Sequence, residues 1–242
     1  MTAKDHYDNH LARFYSWMVG SFSEKQQTQE DFFIRNGITP NGNKVAIDIG
    51  AGNGLQSISL AKLGFEVIAV DFNRQLLDEL ILHKADLHVK TVYDEASNFL
   101  ETFNGHVDVI VCMGDTVTHL ETIGHVERLL ANISEHLALG GRTVISFREL
   151  IAELKGSERF IPVRSDETRI LTCFLEYFPN HVMVHDILHE LQSGTWTQKV
   201  SSYPKLRLSE AYMKEALERY KIKLLSTQRL SGMTYLIGQK LN

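Results

Sequence analysis

The chain has 242 residues, 43% hydrophobic and 23% charged, the balance of a globular protein with one large domain or one domain carrying an insert. A formal net charge of −5, with no Lys/Arg-rich run, argues against nucleic acid or an anionic membrane as partner. Only two cysteines are present, Cys112 and Cys173, far apart and outside any C-x-x-C spacing, which argues against a zinc site or a disulfide framework and fits a reducing cytosol.

The first residues, "MTAKDHYDNHLARFYSW", carry Asp5 and Asp8 and no apolar h-region, so they do not read as a signal peptide. No window approaches 18 uninterrupted apolar residues, so no membrane span is expected and the expected location is cytoplasmic. Residues 5–36 read as helical. Leu11, Phe14, Tyr15, Met18 and Phe22 recur at helical spacing, and Phe32 and Phe33 before Asn36-Gly37 suggest a second helix and its stop. Five short apolar, β-branched runs follow, at 44–50, 65–71, 87–93, 107–113 and 142–147. Helical patterns at 54–63, 73–83, 95–103 and 123–139 separate them. This alternation predicts βαβ units and a parallel sheet covered on both faces. Gly140-Gly141 reads as the C-cap of the last of these helices.

Past residue 150 the rhythm changes. "TRILTCFLEYF", "HVMVHDILHEL" and "WTQKVSSY" read as antiparallel strands, the first two turned at Pro179-Asn180. Residues 208–219 read as a helix capped by Ser209, and two final strands meet at Ser231-Gly232. The expected organisation is a helical cap over 1–40, a core over 41–149 and 206–242, and an antiparallel β insert over 150–205 on the substrate side.

The informative stretch is "VAIDIGAGNG", residues 45–54. Gly50 and Gly52 sit where a strand must turn sharply and where a ligand can approach backbone. The next helix starts near Gly54, with its free N–H groups toward that ligand. The dinucleotide pattern G-x-G-x-x-G requires glycine at 55, and the residue is Leu55. Asp48 lies just before the turn, where a carboxylate repels a pyrophosphate and suits a cationic ligand. Asp71 ends the second strand, about 20 residues on, where an acid accepts hydrogen bonds from a ribose diol. A tight strand–helix turn without any ligand is the plain alternative.

With these residues, "VAIDIGAGNG", "VIAVDF" and "DVIVCMGD" resemble motifs of class I S-adenosylmethionine-dependent methyltransferases. The resemblance spans the chain and is strongest to glycine N-methyltransferase and small-molecule enzymes built like it. "YDNHLARFYSWMVG", "CMGDTVTHL", "VISFREL" and "SSYPKLRLS" are similar to successive segments of that family. The resemblance implies a Rossmann-like α/β fold: a seven-stranded, mostly parallel sheet whose last strand is antiparallel, with S-adenosyl-L-methionine as cofactor.

It also implies roles. Gly50, Ala51 and Gly52 would pack against the cofactor's methionine part and ribose, with Asp48 near its ammonium. Asp71 would hold the ribose hydroxyls and Phe72 would lie against adenine. Asp94 is favoured over Glu95 and Asn98 as acceptor for the adenine amino group. Met113, Gly114 and Asp115 would end the fourth strand beside the reactive methyl, and Tyr7 and Tyr15 would close over the site. Arg148 matches the family's substrate-carboxylate arginine, with Tyr203 and Arg207 weaker candidates for the same pocket. Asp115 and His119 are the nearest groups for a catalytic base, should the acceptor need one.

Plainer readings stand beside these. Tyr7 and Tyr15 could be core residues on one helical face, Asp115 a helix N-cap, His119 a core histidine and Arg148 a surface arginine. His181, His185 and His189 share a face on a strand, and no metal is expected there. Asp115 replaces the asparagine of the family's G-N-S run, which leaves the acceptor open. The absence of an N-P-P-Y tetrad favours a small-molecule acceptor. A homo-oligomer is compatible with the resemblance. Two rival readings remain: a methyltransferase-like module that holds the cofactor without turnover, and a nicotinamide-dependent oxidoreductase, which Leu55 and Asp48 disfavour.

Overall fold

A computed structural model describes residues 2–241. The chain opens with a short helix, α1 (Ala3–His6), closed by a capping box in which Thr2 and Asp5 bond each other's backbone. The path to α2 (Tyr15–Val19) is a π-helical turn at Tyr7–Leu11 and a 3₁₀ turn at Ala12–Phe14, rather than the regular helix that the spacing suggests. Gly20, at φ 95°, breaks the run before α3 (Phe22–Arg35), which Ser21 caps. The stop at Asn36-Gly37 falls where expected, with Gly37 in the left-handed region.

The alternating part forms β1 (Val45–Ile49), α4 (Leu55–Lys62), β2 (Glu66–Asp71), α5 (Arg74–Lys84), β3 (Val89–Tyr93), α6 (Ala96–Thr102), β4 (Val107–Cys112), α7 (Ile123–His136) and β5 (Leu137–Phe147). A second run of strands follows: β6 (Phe160–Ser165), β7 (Arg169–Tyr177), β8 (His181–Gln192) and β9 (Thr195–Leu206). The chain ends with α8 (Glu210–Arg219), β10 (Ile222–Leu230) and β11 (Met233–Lys240).

The large sheet has seven strands in the order β10-β11-β5-β4-β1-β2-β3. β1 to β5 pair in parallel, and β11 enters antiparallel between β5 and β10. Successive residues of β1 bury on opposite faces. Ala46 joins a core with Phe33, Ile58, Leu60 and Leu80 from α3, α4 and α5. Ile47 and Ile49 join Leu100, Leu129, Ile133 and Leu217 from α6, α7 and α8. Burial on both faces is why these strands read as continuous apolar runs rather than alternating ones.

Gly140-Gly141 departs from expectation. α7 ends at His136, and both glycines lie inside β5, where Val107 pairs with Leu137 but Val109 pairs with Arg142. The extra residues on β5 form a bulge, and Gly140 takes φ 77° within it.

The small sheet is antiparallel, in the order β6-β7-β8-β9. β7, β8 and β9 follow the predicted strands; β6 was not expected, because all six of its residues are exposed and none alternates. On β8, Val182, Val184, Asp186 and Leu188 face inward. That inner face packs on the N-terminal segment, through Ala3 with Val182 and Tyr203, and through Leu11 and Phe14 with Leu188. The opposite side of the N-terminal segment reaches the carboxyl end of β2, where Lys4 Nζ donates to Phe72 O (3.2 Å) and Asn73 Nδ2 to Asp8 Oδ1 (2.7 Å). Residues 2–19 therefore lie between the large sheet's carboxyl edge and the insert. Among the described residues, no helix is long and apolar enough to cross a membrane.

Candidate active site

Ligands of open α/β sheets bind outside the carboxyl ends of the strands, and the predicted residues converge there. The turn after β1 holds Gly50, Gly52 and Gly54 at φ 73°, 53° and 94°, conformations that only glycine adopts without cost. Its N–H groups are mostly engaged within the protein. Gly50 and Ala51 donate to Val70 O (2.9 and 3.0 Å), and Gly52 donates to Asp71 Oδ2 (2.8 Å). A Cβ on Gly50 would also collide with Thr116, so the missing side chain there serves packing of the loop after β4. At Gly52 a Cβ would meet only ordinary contact with Tyr15.

Two acids stand behind this turn, both buried. Asp48 accepts from Ser57 Oγ (2.6 Å), so its carboxylate is tied to α4. Asp71 also accepts from Asn73 N (2.7 Å), and so bridges the turns after β1 and β2. Among the described residues, no ion pair reaches either acid. Burial pushes Asp48 up to about 7 and Asp71 to about 6, and their mutual repulsion adds to the shift of Asp48. A pocket with two uncompensated carboxylates fits a ligand carrying positive charge and a diol, which S-adenosylmethionine is.

Aromatic rings cover the same edge. Tyr7 meets Tyr15 at 6.2 Å, Phe72 edge-on at 5.5 Å and His119 at 5.6 Å between centroids. Phe72 also lies under Lys4 Nζ, 5.7 Å away. Asp94, half-buried at the end of β3, donates its N–H to Asp71 O (3.1 Å); Glu95 and Asn98 are exposed. Of the three acceptor candidates, only Asp94 adjoins Asp71.

The far half of the edge is built differently. Gly114 (φ 72°) and Asp115 (φ 80°) follow Met113, and the backbone is stitched to β5 by Gly114 N to Ser146 Oγ (3.0 Å) and Asp115 N to Ser146 O (3.2 Å). Asp115 is buried, and its side chain caps no helix. Oδ1 accepts from Arg148 N (2.6 Å); Oδ2 accepts from Arg148 Nη1 (2.7 Å) and Lys205 Nζ (2.8 Å). Against the cost of burial, the two cations hold this carboxyl far below the usual carboxylate range. Asp115 is thus a carboxylate held by three donors, two of them on cationic side chains.

His119 lies beside this clamp. Its Nε2 is buried without a partner, and the ring meets Tyr7 and, at 5.5 Å, Tyr203 edge-on. Burial first, then the charge of Lys205, pushes it down to about 3. It is neutral at pH 7 and a very weak base. Tyr203 is buried and stacks on His6 at 4.1 Å. Arg207 is drawn away, donating to Ile151 O, Phe178 O and Glu153. Arg148 keeps half of its side chain exposed. A cleft lined by Glu149, Ile151, Ala152 and Met233 opens beside it, past the end of β5. A larger cleft, lined by Val45, Glu66, Lys84 and His88, lies at the amino edge of the sheet and contains none of these groups.

Two elements were missed in the sequence. One is Lys205, third in the inward series Ser201, Tyr203, Lys205 of β9, where a lysine in an inward position was the available signal. The other is a buried pair, His6 Nε2 to Asp186 Oδ2 at 3.0 Å, with His6 Nδ1 bonded to Ser201 Oγ at 2.8 Å, which fastens α1 to the insert. The β8 histidines engage separate neighbours: His181 stacks on Phe178, His185 bonds Ser202, and His189 bonds Gln198.

The strand order with its antiparallel β11, and acids at the ends of β1 and β2, define a class of protein. Residues 46–141 match the family described as Methyltransferase domain. The fold is that of S-adenosylmethionine-dependent methyltransferases, and the matched segment is a methyltransferase domain, whose methyl donor is S-adenosylmethionine. The glycine/sarcosine N-methyltransferase of Aphanothece halophytica is 24% identical over 149 residues, covering 60% of this chain and 56% of that protein. The chain thus spans little more than half the length of the curated relatives it matches. The CcbJ methyltransferase structure from Streptomyces caelestis superposes with a TM-score of 0.77 at 16% identity, covering 98% of each chain. CalS10, an amino pentose methyltransferase from Micromonospora echinaspora, gives 0.73 at 15% identity, covering 91% of this chain and 92% of that one.

Proposed function

We propose that this protein methylates an amine nitrogen of a small molecule that also carries a carboxylate. The observation that supports an amine is that, among the described residues, the groups beside Met113 and Gly114 are poor bases. Asp115 is clamped by Arg148 and Lys205, and His119 is pushed down to about 3. Tyr7 and Tyr203 are raised well above 10 by burial. A hydroxyl acceptor needs a proton taken from it, whereas an unprotonated amine attacks unaided. S-adenosylmethionine supplies an electrophilic methyl on a sulfonium. The chain's own task is to hold the acceptor in line and exclude water, which can account for much of the rate.

On this reading Asp48 and Asp71 hold the donor's ammonium and ribose, while Gly50, Ala51 and Gly52 form the turn beneath it. Tyr7, Tyr15 and Phe72 close around the adenosine side, with Asp94 toward the adenine amino group. Met113 and Gly114 flank the transferred methyl. Arg148, half-exposed at the mouth, takes the acceptor's carboxylate with its remaining donors. Relatives named for glycine, sarcosine and an amino pentose make an amine acceptor a coherent choice.

The test has two arms. Calorimetric titration with S-adenosylhomocysteine should show binding, and none would sink the reading. A panel of amines, phenols and carboxylates with methyl-labelled donor should then show transfer to amines. The rate should rise with pH to the amine's own pKa and then level. Preferential transfer to a phenol would overturn the amine assignment. Binding without any transfer would point to a cofactor-holding module.

A further inference from the structure

The clamp at Asp115 contains more positive charge than it needs. Arg148 reaches both oxygens through its backbone N–H and its guanidinium. Yet a second cation, Lys205, is brought in from β9 with only 10% of its side chain exposed. Two cations thus meet one carboxylate, and a buried ammonium is costly unless paired and fully hydrogen-bonded. Lys205 Nζ has three donors, and among the described residues Asp115 Oδ2 is its only hydrogen-bond partner. The Tyr203 ring, 5.8 Å away, is at most a weak contact.

The surroundings indicate what completes the site. His119 has a buried, unpartnered Nε2, and its ring meets those of Tyr7 and Tyr203. A structural lysine needed only to neutralise Asp115 would be redundant with Arg148. An apolar residue in its place would be cheaper to bury.

We propose that Lys205 is a specificity-determining residue: its free donors receive one oxygen of the acceptor's carboxylate while Arg148 receives the other. The anionic acceptor thereby supplies a second partner to Lys205 beside Asp115. The inference rests on the methyl-acceptor reading for its biological sense, but the site can be tested without turnover.

Acetate and its neutral isostere acetamide are suitable probes, titrated by calorimetry into the full chain with and without saturating S-adenosylhomocysteine. The wild type should bind acetate at least about tenfold more tightly than acetamide, the scale of one charged hydrogen bond. Lys205→Met should weaken acetate by about tenfold or more and leave S-adenosylhomocysteine affinity unchanged. Lys205→Arg should keep the preference for acetate. If circular dichroism shows Lys205→Met unfolded, Lys205→Gln, which retains a donor to Asp115 without the charge, supplies the comparison. Equal binding of acetate and acetamide by the wild type, or unaltered acetate affinity in the folded variant, overturns the proposal. Failure of S-adenosylhomocysteine to bind would count against the methyltransferase reading alone, because the ligand-free titration still tests Lys205.

Discussion

Two halves of one sheet edge treat buried acids in opposite ways. At the ends of β1 and β2, Asp48 and Asp71 are buried with hydrogen bonds but no cation, and both are shifted upward. At the end of β4, Asp115 is equally buried but meets Arg148 and Lys205, and is shifted far downward. Burial is the same in both places and raises every one of these acids. The neighbouring charge decides the net direction. The first half is short of positive charge, which suits a cationic donor. The second gathers two cations on one acid, which suits an anionic acceptor.

Removing the negative member of the second half should have the largest effect. Asparagine tolerates the left-handed backbone at 115, so Asp115→Asn mainly deletes charge and leaves Lys205 buried without a counterion. It should destabilise the protein by about 3 kcal/mol, read from denaturant unfolding. A loss under about 1 kcal/mol would mean that the clamp is not structural and that solvent already serves Lys205. In the first half the effect should fall on binding instead. Asp71→Ala removes the acceptor for Gly52 N and Asn73 N together with the proposed ribose contact. S-adenosylhomocysteine affinity should drop about 100-fold, close to 2.7 kcal/mol. Unchanged affinity would detach Asp71 from the cofactor.

The two halves also differed in how far the sequence disclosed them. The first was legible because its geometry is local: strand, turn and helix are contiguous, so Asp48, Gly50, Gly52 and Asp71 are fixed by short-range rules. Even there the reason for Gly50 was hidden, since Thr116, which fills its space, comes from the loop after β4. The second half assembles from β4, β5 and β9, with Asp115 and Lys205 90 positions apart. No periodicity links such positions. Asp115 could be suspected, but its partners could not, so a clamped carboxylate read as a candidate base. The N-terminal segment was legible as helical but not in its helix type. Its apolar spacing is helical, yet His6 and Tyr203 stack and His6 bonds Asp186, and those tertiary contacts coincide with a π turn in place of regular helix.

The smaller effects concern protons, and they separate the halves by sign. The folded-state pKa of Asp48 lies above its ordinary value of 3.8, so the protonated form is favoured by folding. Its penalty on stability is absent below about pH 4, grows toward pH 7 and is complete above it. Asp48→Asn should therefore stabilise the ligand-free protein by about 2 kcal/mol at pH 8 and by nothing near pH 4, while weakening the donor. A variant equally stable at both extremes would place the acid in contact with an unseen cation or water path. Asp115 shows the reverse linkage: its stabilisation is present throughout this range and is lost only as acid titrates it, below the usual carboxylate values.

Cofactor binding should report the same asymmetry. A cationic donor favours ionised Asp48 and Asp71, so its affinity should climb between about pH 5 and pH 8 and then level. Near pH 6.5 binding should release a fraction of a proton, measurable by calorimetry in buffers of different ionisation enthalpy. S-adenosylhomocysteine lacks the sulfonium and should release less. Equal release by both ligands would assign the effect to the amino-acid ammonium that they share. That outcome would keep Asp48 as its partner and remove the sulfonium from the account of why this half of the site lacks a cation.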